Sequence, residues 1–341
     1  MADDSNDLPF GLYQRLITAG LRSRLLQFDA DRVRWHTAPV DPAEVHRTLA
    51  RHVEAVTTHA LRVLPEPQRI AVVNGLVRLL ADADRAAGSG LIDDLVDTPA
   101  EELISIRPIT GTPATDRDVV GPLGGLAASD LLVNARGEPA LAHALAHDIP
   151  SADSIDLLCA FVRWHGLRIL EDQLVAHCGA GRPLRVITTV YTGSTERKAL
   201  DWLVKIGAQV KVSYDTQSTR LHAKAWMFRR NTGYSTTYIG SSNLSKAALI
   251  DGVEWNVRLT EVGSPDILDK FDATFETYWS SPEYDSYDPQ RDSERFDRAV
   301  ASPSADTLDA PLTLLDVAPW PHQREILERL AVERDRHHRF K

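Results

Sequence analysis

His222, Lys224, Ser241, Asn243 and Glu254 fall within one stretch of thirty-three residues, and together they are the side-chain types that attack on a phosphodiester requires. Neutral imidazole at His222 can attack phosphorus and leave a phosphohistidine. Lys224 offers a positive charge to a non-bridging oxygen, and Ser241 and Asn243 offer hydrogen-bond donors to the same group. Glu254 can accept from the far nitrogen of His222, fixing its tautomer and stabilising the imidazolium. Ser242 is the alternative to Ser241 as anion donor, because turn geometry is not readable from sequence. Arg220, Arg229, Arg230 and Lys246 are candidate substrate-binding residues, each either a backbone-phosphate contact or part of a solvated rim. No carboxylate cluster accompanies these residues, so neither a metal nor a cofactor is expected.

Two strands and a turn must position this set. Apolar and polar residues alternate around Leu221 to Phe228 and again around Tyr238. In one strand, His222 and Lys224 share a face, with Trp226 and Phe228 either lining a groove there or packing its floor. Gly240 to Asn243 is a turn expected to open a short helix, Leu244 to Leu249, whose N-terminus suits an anion. Trp255, beside Glu254, is expected in the core by alternation.

The neighbouring sequence alternates strand-like and helix-like runs. Strands are expected at Ser154 to Val162, Leu184 to Tyr191, Gln209 to Tyr214 and Val253 to Leu259. Helices are expected at Gly166 to His177, Glu196 to Ile206 and Pro265 to Trp279. That order predicts an α/β domain, a mixed sheet flanked by helices. The region before it reads as all-helical: Pro9 to Phe28, then Ala43 to Leu64 opened by Asp41-Pro42, then Arg69 to Leu80. His46, His52 and His59 lie there without ligand partners at matching offsets. The expected division is a helical region over 1–106, a Pro/Gly/Thr-rich linker over 107–128, the α/β domain over 129–283, and a polar linker leading into a terminal segment over 284–341. Gly124-Gly125 in the linker lacks the GK[ST] continuation of a phosphate loop.

Composition sets outer bounds. The 341 residues are 43% hydrophobic and 25% charged, an ordinary globular balance. No apolar run of about 18 residues occurs, so no membrane span is expected, and the acidic opening MADDSNDLPF has no secretory core. Two isolated cysteines, Cys159 and Cys178, fit a reducing cytoplasm. Net charge is −10, but Ala180 to Arg258 holds twelve Lys and Arg against five Asp and Glu. That balance of +7, against −17 for the remainder, predicts a local polyanion site.

His222-x-Lys224 followed by Gly240-Ser241-x-Asn243 resembles the signature of the phospholipase D superfamily, and the spacing to Glu254 resembles its bacterial nuclease branch. The resemblance covers roughly Ala127 to Ser280. It implies a phospholipase D-like fold and a two-step reaction through a phosphohistidine. It also implies two copies of the motif per site. Only one is present, so a homodimer is expected to complete the active site. The family pattern carries Asp five residues after the Lys, where this chain has Arg229. The terminal WPHQREILERL resembles the opening of a superfamily 2 (DEAD/DEAH) helicase motor, with Gln323 at the adenine-reading position. The expected function is a metal-independent DNA phosphodiesterase coupled to a helicase motor, with restriction or anti-phage defence suggested by family analogy. The alternative is a weak or inactive DNA-binding and dimerisation module in which Arg229 adds charge. Lipid hydrolysis lacks any lipid-facing segment.

Overall fold

The computed structural model describes residues 8, 11–29, 31–83, 90–106, 121–135, 139–191, 193–215 and 221–301. The chain divides into two compact units, Met1–Gly111 and Thr112–Lys341.

In the first unit, helix α1 is Ala19–Leu25, α2 is Val45–Val63 and α3 is Glu66–Ala83. The helix expected from Pro9 is shorter than its periodicity suggested. The Thr18 side chain accepts from the Leu21 N–H at 3.2 Å and starts the helix there. Leu12, the first apolar position of the expected stripe, is fully exposed and has no packing to hold a longer helix. Asp41 caps a turn rather than a helix, accepting from Ala43 N–H at 2.9 Å, and α2 starts two residues later than expected, at Val45. Asn74 on α3 exchanges both amide groups with the backbone of Val96 at 2.8 and 2.9 Å. Among the described residues, no helix is long and apolar enough to cross a membrane.

The second unit carries the mixed sheet expected from the alternating runs. In chain order its elements are β1 (Asp130–Leu132), α4 (Leu141–Asp148), β2 (Ser154–Cys159), α5 (Trp164–Leu167), α6 (Glu171–Gly179) and β3 (Leu184–Thr189). Then come α7 (Arg197–Lys205), β4 (Gln209–Ser213), β5 (Lys224–Arg229), β6 (Thr236–Gly240), β7 (Asn256–Thr260), α8 (Pro265–Ser280), β8 (Asp285–Ser286) and α9 (Pro289–Ala301). The eight strands lie in the order β1-β7-β6-β5-β2-β3-β4-β8. The β2-β3-β4 ladder is parallel and the other pairs are antiparallel.

Alternation along β2 and β5 separates two cores. Ile155, Leu157, Cys159, Trp226 and Phe228 face the larger one, closed by residues of α4 to α7 and by Phe296 of α9. Leu158 and Ile187 face the smaller one under Phe275 of α8. The described parts of both stretches expected to be linker, 121–128 and 284–301, belong to this unit. Arg258 of β7 donates to the carbonyls of Gly125 and Ala128 at 2.6 and 2.5 Å. Beyond residue 284, β8 pairs with β4 and α9 buries Phe296, so that polar stretch carries an amphipathic helix. The helicase-like segment from Trp320 lies outside the described residues.

Asp148 anchors the larger core. It is fully buried and accepts from Arg230 at 2.8 Å, Thr236 at 2.6 Å and Tyr238 at 2.6 Å. Removing one partner of a buried pair leaves the other charge uncompensated. Asp148→Ala is therefore expected to lower stability by about 3–5 kcal/mol, read from the denaturant midpoint. An unchanged midpoint would show that Arg230 has another way to be satisfied.

Candidate active site

Strand register assembles the site. Cys159 at the end of β2 pairs with Lys224 at the start of β5. Ala225 pairs with Ile239, which brings Gly240 level with Lys224, and Gly240 in turn pairs with Asn256. The ends of four strands therefore meet along one line. From that line emerge the segment carrying His222, the turn Ser241–Asn243 and the approach to β7 carrying Glu254. This is the carboxyl end of the parallel strand β2, the usual place for a ligand site in such sheets.

Lys224 is buried, and His222 lies just before the strand, exposed. The Lys224 ammonium donates to the His222 carbonyl at 2.8 Å and sits 3.0 Å from His222 Nδ1. The two meet as expected, but through this bond rather than by facing alike within one strand. The ring of Phe161 stands edge-on to the imidazole, with centroids 6.5 Å apart. Asn243 Oδ1 accepts from the Phe161 N–H at 3.2 Å, which fixes the amide beside the same loop.

Desolvation, and then the charge of Lys224, hold the His222 imidazole below its ordinary value of 6.5. Burial pulls the Lys224 ammonium below its ordinary range, opposed by Cys159 and Glu254. The neutral imidazole needed for attack therefore survives to lower pH than in a free histidine. The acid limb of the pH–rate profile is expected below pH 6.5. In Lys224→Gln, a slower enzyme, that limb should move upward. An acid limb in wild type at or above the ordinary histidine value would contradict this electrostatic reading.

Glu254 takes a different partner from the one expected. Its carboxylate accepts from the Ser241 hydroxyl rather than from His222. Ser241 is exposed and is further bonded to Trp255, whose N–H donates to Ser241 Oγ at 3.1 Å. Ser242 is turned inward, accepting from Asn256 Nδ2 at 2.8 Å, so of the two serines Ser241 is the one presented outward. The helix expected at Leu244 is one wide π turn, Ala247–Asp251. The N–H groups of Leu244 and Ser245 bond to Phe161 and Asn243 carbonyls instead of facing an anion.

The basic residues also sort differently. Arg229 lies on the strand face opposite Lys224. There it is paired with Asp156, its Nη2 2.6 Å from Oδ2, and with Asp272 of α8. The departure from the family's Asp at this position therefore leaves the pocket untouched. Arg230 is the buried partner of Asp148. Lys246 is exposed, and Arg220 lies outside the described residues. Arg185 pairs with Asp156 and Glu276, and Arg197 with Asp201 and Asp297. Most of those carboxylates come from outside Ala180 to Arg258. The +7 counted along the sequence is thus largely neutralised in space.

Trp226 and Phe228 stack at 5.9 Å and are buried, so they pack the floor. Trp255 is not in the core: it is 62% exposed, because Asn256 takes the inward position. Cys159 had no signal in the sequence. Its thiol, pushed up to about 11 by burial, donates to the Phe161 carbonyl at 3.1 Å and accepts from Leu244 N–H at 3.2 Å. Only the pairing with Lys224 reveals that it braces the site.

Residues 145–279, which hold His222, Lys224, Ser241, Asn243 and Glu254, match the family model described as "Cardiolipin synthase, PLD-like domain". A phospholipase D-like domain accordingly occupies this part of the chain, and the match supports a phosphodiesterase-type function. Among solved structures, the chain is similar to Nuc, a phospholipase D family member from Salmonella typhimurium, at 18% identity and a TM-score of 0.36, covering 47% of this chain and 97% of that one. It is similar to NucT from Helicobacter pylori at 15% identity and a TM-score of 0.36, covering 47% and 99%. It is also similar to polyphosphate kinase from Porphyromonas gingivalis at 13% identity and a TM-score of 0.33, covering 48% and 31%. No curated protein matches the chain.

Proposed function

We propose that the domain hydrolyses phosphodiesters in DNA by double displacement, with His222 as nucleophile and no metal. The observation that carries this reading is the contact between Lys224 and His222, a buried cation against a neutral ring at the meeting point of four strand ends. A bound phosphate oxygen competes for the ammonium and frees the ring nitrogen. That nitrogen forms a bond to phosphorus as the bond to the leaving oxygen breaks, and the leaving oxygen takes a proton. Water then gives up a proton, and its oxygen displaces the nitrogen from phosphorus. Asn243 and Ser241 supply donors to the phosphate, and Glu254 orients Ser241.

One imidazole cannot both attack and protonate the leaving group in the same step. The proton donor in this proposal is the imidazolium of His222 of the partner subunit, in a two-fold dimer, charged when the bound phosphate offsets its lysine. The proposal extends to a helicase motor beginning near Trp320 and, by analogy, to defence against foreign DNA in the cytoplasm. The alternative, a DNA-gripping module without chemistry, had relied on Arg229 for added charge, and that arginine is spent on Asp156 and Asp272. The test is incubation of the full chain with DNA in chelator, alongside His222→Ala. Cleavage by wild type alone supports the enzyme, and intact DNA with retained binding favours the module. Cleavage by a strict monomer refutes the shared site.

A further inference from the structure

Trp255 is displayed rather than packed, and the display is built in. Its carbonyl accepts from Ser241 N–H at 3.1 Å, and its own N–H donates to Ser241 Oγ at 3.1 Å. Asn256, bonded to Ser242, holds the inward place and prevents the indole from turning into the core. Gly240 permits this approach, since a Cβ there would collide with the Trp255 carbonyl. The backbone that carries the indole is thereby locked to Ser241 and stands one residue from Glu254. Among the described residues the ring has no aromatic, cationic or hydrogen-bonding partner.

Arg185, Arg197, Arg229 and Arg230 are engaged by carboxylates, and Arg182 and Arg258 by backbone carbonyls, so a long polyanion meets less free positive charge there than the sequence count implies. Binding by charge alone is weakened accordingly. An exposed indole supplies attraction that does not depend on salt, provided the ligand offers a flat face. Bases in a stacked duplex have their faces covered, whereas those of a single strand do not.

We propose that Trp255 stacks on an unpaired nucleobase next to the phosphodiester held at His222 and Lys224, making single-stranded nucleic acid the preferred substrate. This rests on the phosphodiesterase reading above. The competing occupant of the indole is a second copy of the chain, because Val257, Ile239 and Leu131 are also partly exposed in one register row across β7, β6 and β1.

The experiment measures cleavage of a short labelled oligodeoxythymidine, its duplex and its abasic counterpart by the full chain. Wild type should favour the single strand. Trp255→Ala should lower kcat/KM on it by about 5- to 100-fold, Trp255→Phe should keep most of it, and the loss should vanish on the abasic strand. Equal cleavage by wild type and Trp255→Ala overturns the proposal. So does loss of self-association in Trp255→Ala with an equal fall on all three substrates, which makes the indole an inter-subunit contact. A wild type that cuts no substrate refutes the phosphodiesterase reading instead. Quenching of tryptophan emission by the single strand, present in wild type and missing in Trp255→Phe, then supports stacking, and quenching equal in both overturns it.

Discussion

Replacing His222 by alanine is expected to lower cleavage by at least about 10⁴-fold, the scale at which loss of a covalent nucleophile registers. The fold should survive. His222 is exposed and lies outside the strand, so its removal should change stability by no more than about 0.5 kcal/mol. Its ring contacts are Lys224 and the edge of Phe161. The combination separates chemistry from folding: turnover in single-turnover assays should collapse while the denaturant midpoint stays in place. A modest rate loss that tracks a shifted midpoint would instead mark His222 as a packing residue.

Gly240→Ala is expected to produce a large effect for a single added methyl group. A Cβ at Gly240 would fall inside contact distance of the Trp255 carbonyl and the Asn256 side-chain oxygen. Both belong to β7 or its approach, and Asn256 is buried and bonded to Ser242. Neither can retreat without breaking the Ser241–Trp255 bonds, so the cost should be about 3 kcal/mol. Activity should fall with it, because the displaced turn carries Ser241 and Asn243. Gly166→Ala probes the other side of the same turn, where a Cβ would meet the Leu244 carbonyl. Chemical denaturation with an unchanged midpoint for Gly240→Ala would show that β6 and β7 can part without loss.

The sheet and its helices were legible because their periods are strong. Ser154 to Cys159 is an almost uninterrupted buried run, and α7 carries Ala199, Leu200 and Leu203 at helical spacing. Lys224, His222 and Asn243 were legible because their types and spacing carry chemistry. What failed depended on neighbours far away in sequence. Trp255 was expected inside because alternation takes apolar residues inward. In β7 the inward places go to Asn256, Arg258 and Thr260, which find partners in Ser242 and residues 125–128. Arg229 looked like a phosphate contact because nothing nearby in sequence announces Asp156 or Asp272. The charge balance misled for the same reason, since ion pairs form in space and not along the chain.

The central claim is that phosphorus becomes bonded to His222 during the reaction, and trapping that bond tests it most directly. Labelled DNA should be mixed with the full chain in chelator, quenched in alkali within one turnover, and the protein digested for mass spectrometry. A phosphoryl-DNA adduct is expected on the peptide bearing His222 and is expected to be lost in His222→Ala. Cleavage proceeding at full rate with no adduct, or with the adduct on another residue, would contradict it.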